Sequence, residues 1–451
     1  MSTTGNGLRT RRGKRLAASA AGIAAMALTL AACGGGDSGI GGGGGDDEPV
    51  AAAEECPCEI RFSWWGSDSR HESTQQIIDA FEAENPDITV VPDFTDWDGY
   101  WDKLATSVAA GDTPDVITQE ERYISDYSTK NVLADLASLD IDTSKIDEGV
   151  LAGGQIEGAQ YGIPTGINAY ALVADPEIFA DADVELPDDT TWTWEDYVTT
   201  ANAISEGAGD GVWGTQDYGF NEAGLNVMAR QRGETLFTPE GELGVSEETV
   251  ADFFQVSLDL MEGGGQPDAA RTVEYQAAGP EGGLLGTNQG AMGVWWTNQL
   301  GALTDSSGHE LELLRLPGES EGERTGMYYK PAMFYSISAD TEYPESSAKF
   351  VDFLLNSEEA AKIMLTDRGL PANTEVRESI LGDLSPTDQK VADFMADIED
   401  EIVDTPPVPP HGSAELADIM ERVNTEVLFE RITPDEAATQ LIEEVNAAIA
   451  D

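Results

Sequence analysis

Two pairs of adjacent tryptophans carry the most chemistry in this sequence: Trp64-Trp65 and Trp295-Trp296, each ending an apolar run. All nine tryptophans lie between residues 64 and 296. An indole offers a broad flat face at little conformational cost. Neighbouring side chains on a strand face opposite ways, so one member of each pair is expected in the core and the other towards a ligand. Trp97, Trp101, Trp192, Trp194 and Trp213 are expected to pack in the core or on the surface. The polar candidates are Ser67, Asp68, Glu120, Glu121, Asn168 and Arg368, with Tyr328 and Tyr329 just before an apolar strand at 332–338. Carboxylates, amides and guanidinium groups make charge-assisted or bidentate hydrogen bonds. Flat aromatic faces combined with such edge groups complement a neutral sugar, whose C–H faces are apolar and whose rim is hydroxylated.

Bond-breaking chemistry has less support. We find no nucleophile elbow, no phosphate loop and no histidine cluster; His71, His309 and His411 are far apart. A carboxylate pair would suit a glycoside hydrolase. In a chain with 85 acidic residues such pairs are inevitable and carry no information. His411 follows Pro406-Pro407-Val408-Pro409-Pro410 and is expected to pack that loop, with a lid contact as the alternative. No catalytic residue, metal or cofactor is expected.

The elements that must position these residues alternate. A strand at 59–66 is followed by a helix at 73–84, with Ile77, Ile78, Ala80 and Phe81 on one face and Asn85-Pro86 as its stop. A strand at 88–92, a helix at 100–110 ended by Gly111 and a strand at 115–118 come next. This order predicts βαβ units and a parallel sheet. Ligands bind beyond the carboxyl ends of such strands. That places Trp64, Trp65, Ser67 and Asp68 beside Glu120 and Glu121 at one rim. Near the C-terminus, helices are predicted at 414–429 and 435–450, with Thr433-Pro434 opening the second. Leu441, Ile442, Val445 and Ile449 form its apolar stripe, read as core or lobe-docking.

The N-terminus has a different composition. Residues 1–33 hold Arg9, Arg11, Arg12, Lys14 and Arg15 and no acid, then an apolar run from 16 to 32. This is the pattern of an export signal, and residues 1–32 are expected to be removed. The sequence Leu30-Ala31-Ala32-Cys33 resembles a bacterial lipobox, which makes Cys33 the expected site of lipidation, including palmitate, and the new N-terminus. Thr10-Arg11-Arg12 leaves twin-arginine export open beside the general route. Residues 33–57 are Gly- and acid-rich and read as a tether; some twenty such residues span roughly 25 Å. Cys56-Pro57-Cys58 lacks the partners of a metal site, and a disulfide is expected over two free thiols.

The whole chain has 451 residues, with 85 acidic against 24 basic, a net charge of −61. Five of the 24 basic residues lie in the signal, so the chain from Cys33 keeps 19 and a net charge of −66. No basic patch is present to hold nucleic acid. Only eight of the 24 basic residues are Lys. Low Lys with abundant acid is the composition expected of a protein kept soluble at high salt, where self-repulsion is screened. At 40% hydrophobic residues there is material for a real core.

Several blocks, in order, resemble the extracellular solute-binding proteins of family 1, the carbohydrate receptors of bacterial ABC importers. They begin with Phe62-Ser63-Trp64-Trp65-Gly66, Phe81-Glu82-Ala83-Glu84-Asn85-Pro86 and Ala109-Ala110-Gly111-Asp112-Thr113-Pro114-Asp115. Tyr161-Gly162-Ile163-Pro164 with Asn168 and Tyr170 resembles the crossing segment, and Trp192-Thr193-Trp194-Glu195-Asp196-Tyr197 a familiar helix start. Asn288-Gln289-Gly290-Ala291-Met292, Ala348-Lys349-Phe350-Val351-Asp352-Phe353 and Arg368-Gly369-Leu370-Pro371 resemble later family segments. Asn288 and Gly290 depart from the family's Gly and Ala, and Trp295-Trp296 stands where many members have small residues.

The resemblance implies an α/β fold of two lobes, type II among periplasmic binding proteins, with the ligand cleft between lobes joined by crossing hinge segments. It implies one lobe from 58–165 with 290–340 and another from 166–289 with 341–451. It further implies a monomer on the outer face of the cell membrane, held there by its N-terminal lipid. Such a receptor captures a sugar or oligosaccharide by hinge closure and delivers it to ABC permease subunits and, through them, the ATPase. The expected ligand residues are Trp64, Trp65, Ser67, Asp68, Glu120, Asn168, Trp295, Trp296, Tyr328, Tyr329 and Arg368. The competing readings are a surface hydrolase or lyase, and a same-fold receptor for a non-sugar solute such as a polyol phosphate.

Overall fold

The computed structural model describes residues 56–66 and 68–450. The export signal, Cys33 and most of the tether fall outside the described residues, as does Ser67. Cys56 and Cys58 form a disulfide across Pro57.

The first strand, β1 (Cys58–Trp65), runs parallel to β2 (Ile88–Thr95) and β3 (Val116–Gln119), as the alternating pattern predicts. Helix α1 (Asp68–Glu84) buries Ile77, Ile78 and Phe81, and helix α2 (Trp97–Ala110) ends on Gly111 in the left-handed conformation. Both helices begin earlier than predicted. Strand Phe334–Ile337 adds antiparallel to β3, and Ile163–Pro164 pairs beyond it, completing a five-stranded sheet. Ile60, Phe62, Ile77 and Phe81 share one core with Phe350 and Val351.

The second sheet is built on Gly166–Ala174, all nine residues of which are buried. A near-continuous apolar run of this kind fits a strand covered on both faces. Gly290–Trp296 and Glu312–Leu314 pair with it antiparallel, and Trp213–Thr215 joins on the far side of Gly290–Trp296. Its first residues, Gly166 to Ala169, instead pair with Tyr329–Pro331 and Leu370–Pro371. One strand thus ties the two halves together. The second core contains Leu172, Tyr197, Phe253, Met292, Leu441 and Val445. Helix Pro434–Ala448 is capped by Thr433 with Pro434 in its first turn, as the sequence predicts, and packs on Glu247–Gly263.

The strand pairing cuts across the expected grouping of segments. Gly290–Trp296 and Glu312–Leu314 belong to the second sheet, and only the later part of 290–340 joins the first. Helix Pro344–Asn356 contributes Phe350 and Val351 to the first core, and helix Glu358–Met364 packs on α1. The physical reason is that segment order does not fix pairing. Backbone register and the face that each apolar stripe can bury fix it.

Candidate ligand-binding site

The carboxyl end of β3 leads into helix α3 (Glu121–Thr129), and Glu120 is its N-cap, accepting from the Arg122 amide at 2.9 Å. This local choice aims Glu120, Glu121 and Arg122 at one place. Across from them, Lys330 sits on Tyr329–Pro331, in register with Asn168. Its ammonium lies 2.8 Å from Glu120 and 3.4 Å from Glu121. The same ammonium lies 5.0 Å from the centre of the Trp296 ring, a cation–π distance. Arg122 reaches 3.0 Å to Glu222, the first residue of helix Glu222–Gln231 on the second core. The Arg122–Glu222 pair therefore links the two halves of the molecule.

A recess of about 390 Å³ is lined by Trp65, Trp97, Glu120, Asn168, Trp296 and Lys330, among others. A second of about 260 Å³ shares Arg122, Trp296 and Gln299 with it and adds Tyr170, Gln216 and Trp295. Each is close to the size range of small-ligand sites. Trp65 packs edge-on against Trp97 with ring centres 5.0 Å apart. Loop 406–411 closes over α3: the Ser125 hydroxyl donates to the Pro409 carbonyl at 2.6 Å, and His411 pairs with Asp126.

The charges here are mutually compensated. Burial alone pushes the Glu120 carboxyl up, but Lys330 and Arg122 outweigh it and hold it below the usual range. Glu121 is raised, because burial outweighs Lys330 and Glu120 adds repulsion. Burial opposes the Lys330 charge, yet Glu120 and Glu121 raise its pKa. Arg122 is raised chiefly by Glu222. The opposite shifts of the two glutamates give a test. A group with a raised folded pKa binds protons more tightly when folded, so Glu121 costs stability that sets in as pH rises past the ordinary value and is full above the raised one. Glu121→Gln is therefore expected to raise the unfolding free energy measured by urea melts at pH 7, by up to about 1 kcal/mol. The gain should vanish well below pH 4.5, the ordinary value for this carboxyl. An unchanged gain at low pH would refute the electrostatic cause.

The sequence-predicted residues divide clearly. Trp65, Glu120, Asn168, Trp295, Trp296 and Tyr328 line the recesses or the chamber beside them. Trp64 does not: it is 1% exposed, stacks on Phe62 and donates to His71 at 3.1 Å. Strand alternation put one member of the first pair on each face. Tyr329 faces the core and donates to the Met395 carbonyl at 2.6 Å. Arg368 is 3% exposed and its fork turns inward, donating to Thr74 and Tyr335, so it is a core residue of the first half. Asp68 is exposed on the first turn of α1, because that helix starts earlier than expected. Trp97, expected only to pack, and Lys330, which adjoins the Tyr328-Tyr329 pair, line the site, as do Arg122 and Glu222, which were not singled out. Period-two spacing from Tyr328 would have found Lys330; nothing local marks Glu222.

The sequence matches the family described as bacterial extracellular solute-binding protein over residues 76–392. It is 25% identical over 339 residues to an uncharacterised lipoprotein of Streptomyces antibioticus, covering 72% of each chain. An arabinooligosaccharide-binding protein of Halalkalibacterium halodurans is 26% identical over 226 residues, 47% of each chain. Among solved structures, an extracellular solute-binding protein of family 1 from Alicyclobacillus acidocaldarius superposes with a TM-score of 0.70 at 26% identity. That match covers 87% of this chain and 99% of the other.

Proposed function

The chain belongs to the bacterial extracellular solute-binding proteins, and from that premise we propose that it is the lipid-anchored receptor of an ABC importer for a neutral oligosaccharide. One observation carries the reading. Trp65 and Trp296 line a recess of about 390 Å³ whose edge holds Glu120, Asn168 and Lys330. Aromatic faces stack on sugar rings while these groups bond the hydroxyls. The cations are already paired with carboxylates, which favours an uncharged ligand over an acidic one. The arabinooligosaccharide-binding relative supports the same class. On this reading the first lobe combines 58–165 with 329–384, and the second combines 166–316 with 385–450. Closure brings Arg122 to Glu222, and the closed form presents the sugar to the permease.

Calorimetric titration with neutral oligosaccharides, paired with small-angle scattering and product analysis, tests this. Saturable binding with compaction and no product is expected. Product formation, or binding by none of the sugars, would remove the reading. Anchoring at Cys33 is tested separately, since Cys33→Ala should move the protein from the membrane fraction to the medium.

The acidity is proposed to be an adaptation to salt. With 85 acidic against 24 basic residues, self-repulsion opposes the compact state in dilute buffer. Raising KCl from about 0.05 M to 1 M shortens the Debye length from over 10 Å to about 3 Å. The melting temperature is expected to rise by several degrees over that range. A flat profile would show that the charge does not burden the fold.

A further inference from the structure

Beside the main recess, and sharing Trp296, Lys330 and Arg122 with it, lies a small chamber under loop 406–411. Leu236, Phe237, Pro406, Pro407 and Leu416 give it an apolar wall. Two polar groups also line it, Asn226 and Ser413, each 6% exposed. The Asn226 amide meets the Tyr328 hydroxyl, but its Oδ1 and the Ser413 Oγ have no hydrogen-bond partner among the described residues. A buried carbonyl oxygen and a hydroxyl left unpaired are costly, and such exceptions in native proteins call for a bound group. The charged residues of the chamber offer no free charge. Lys330 pairs with Glu120 at 2.8 Å and Glu121 at 3.4 Å, and Arg122 with Glu222 at 3.0 Å. A carboxylate or phosphate therefore has no counter-ion to take up.

The missing group must be neutral, present one hydrogen-bond donor and one acceptor, and be otherwise apolar. It must also be small, since the chamber holds about 50 Å³. That is room for a small substituent and not for a sugar ring. An acetamido group has this make-up. Its N–H would donate to Asn226 Oδ1, its carbonyl would accept from the Ser413 hydroxyl, and its methyl would rest on the apolar wall. We propose that the chamber seats the N-acetyl group of an amino sugar at one end of the bound oligosaccharide. The inference rests on the sugar-receptor reading above.

The test is calorimetric titration of the purified protein with matched sugars that differ only in acetamido groups in place of hydroxyls. N-acetyllactosamine against lactose, one acetamido group for one hydroxyl, is the first pair, and N,N′-diacetylchitobiose against cellobiose, two for two, is the second. A satisfied hydrogen bond and a buried methyl together predict a preference of about 30-fold for the N-acetylated member. Equal affinity, or preference for the parent sugar, would overturn the chamber assignment and leave the sugar receptor standing. Binding by no sugar of either kind would overturn both. Asn226→Leu should reduce the preference to below about 5-fold, the parent sugar binding as before. Should that variant fail to fold, Ser413→Ala serves the same purpose. A preference that survives a folded variant would place the N-acetyl group elsewhere and sink the proposal.

Discussion

Lys330→Met is expected to destabilise the protein by about 3–5 kcal/mol, the cost of leaving buried charges without their partner. The lysine side chain is 12% exposed, and Glu120 and Glu121 at 9% and 19% have no other cation as close among the described residues. The pH dependence follows from the shifts. Lys330 has a raised folded pKa, so its contribution is complete below about 10.5 and is lost as pH rises through the folded value. Glu120 has a lowered folded pKa, so its contribution is present above about 4.5 and is lost as pH falls through the folded value. The mutational cost should therefore be full between those limits and shrink outside them. Urea melts of the wild type and variant at pH 3, 7 and 11 measure this. A cost below about 1 kcal/mol at pH 7 would show that water, not Lys330, solvates the two carboxylates.

The second large effect is on binding. Trp296→Ala is expected to weaken the best oligosaccharide by about 100-fold or more, as for a central aromatic anchor. Trp296 lines both recesses, lies under the Lys330 ammonium and meets the Tyr170 ring at 5.0 Å between centres. Trp64→Ala is the contrasting control. Trp64 is 1% exposed in the first core, so its loss should cost about 3–5 kcal/mol of stability. Any folded Trp64 variant should keep its affinity. A Trp296 variant that binds within threefold of wild type would dismiss the stacking role.

Much of this protein was legible before folding. The βαβ order of residues 58–119 follows from apolar alternation and stop signals, and Thr433-Pro434 opens its helix as their chemistry dictates. The meeting of Trp65 and Glu120 at one rim was equally readable, since the carboxyl ends of parallel strands lie together. Helix starts were less so: α1 begins at Asp68 and draws that residue out of the loop where a contact was expected.

Residue type and spacing by themselves determined that aromatic faces and carboxylates would gather at a strand-end rim, in a strongly acidic body. They also determined that one tryptophan of an adjacent pair would be core, because strand side chains alternate. Only the tertiary structure decided which one, for that depends on which face of β1 meets α1. It also decided that Arg368 serves the core and that Lys330 pairs with Glu120 and Glu121. Glu222 stands 100 residues from Arg122 in the chain, yet lies 3.0 Å from it in space. Local sequence encodes periodicity and caps, whereas such partners are chosen by register and by packing of the two halves, which no local pattern records.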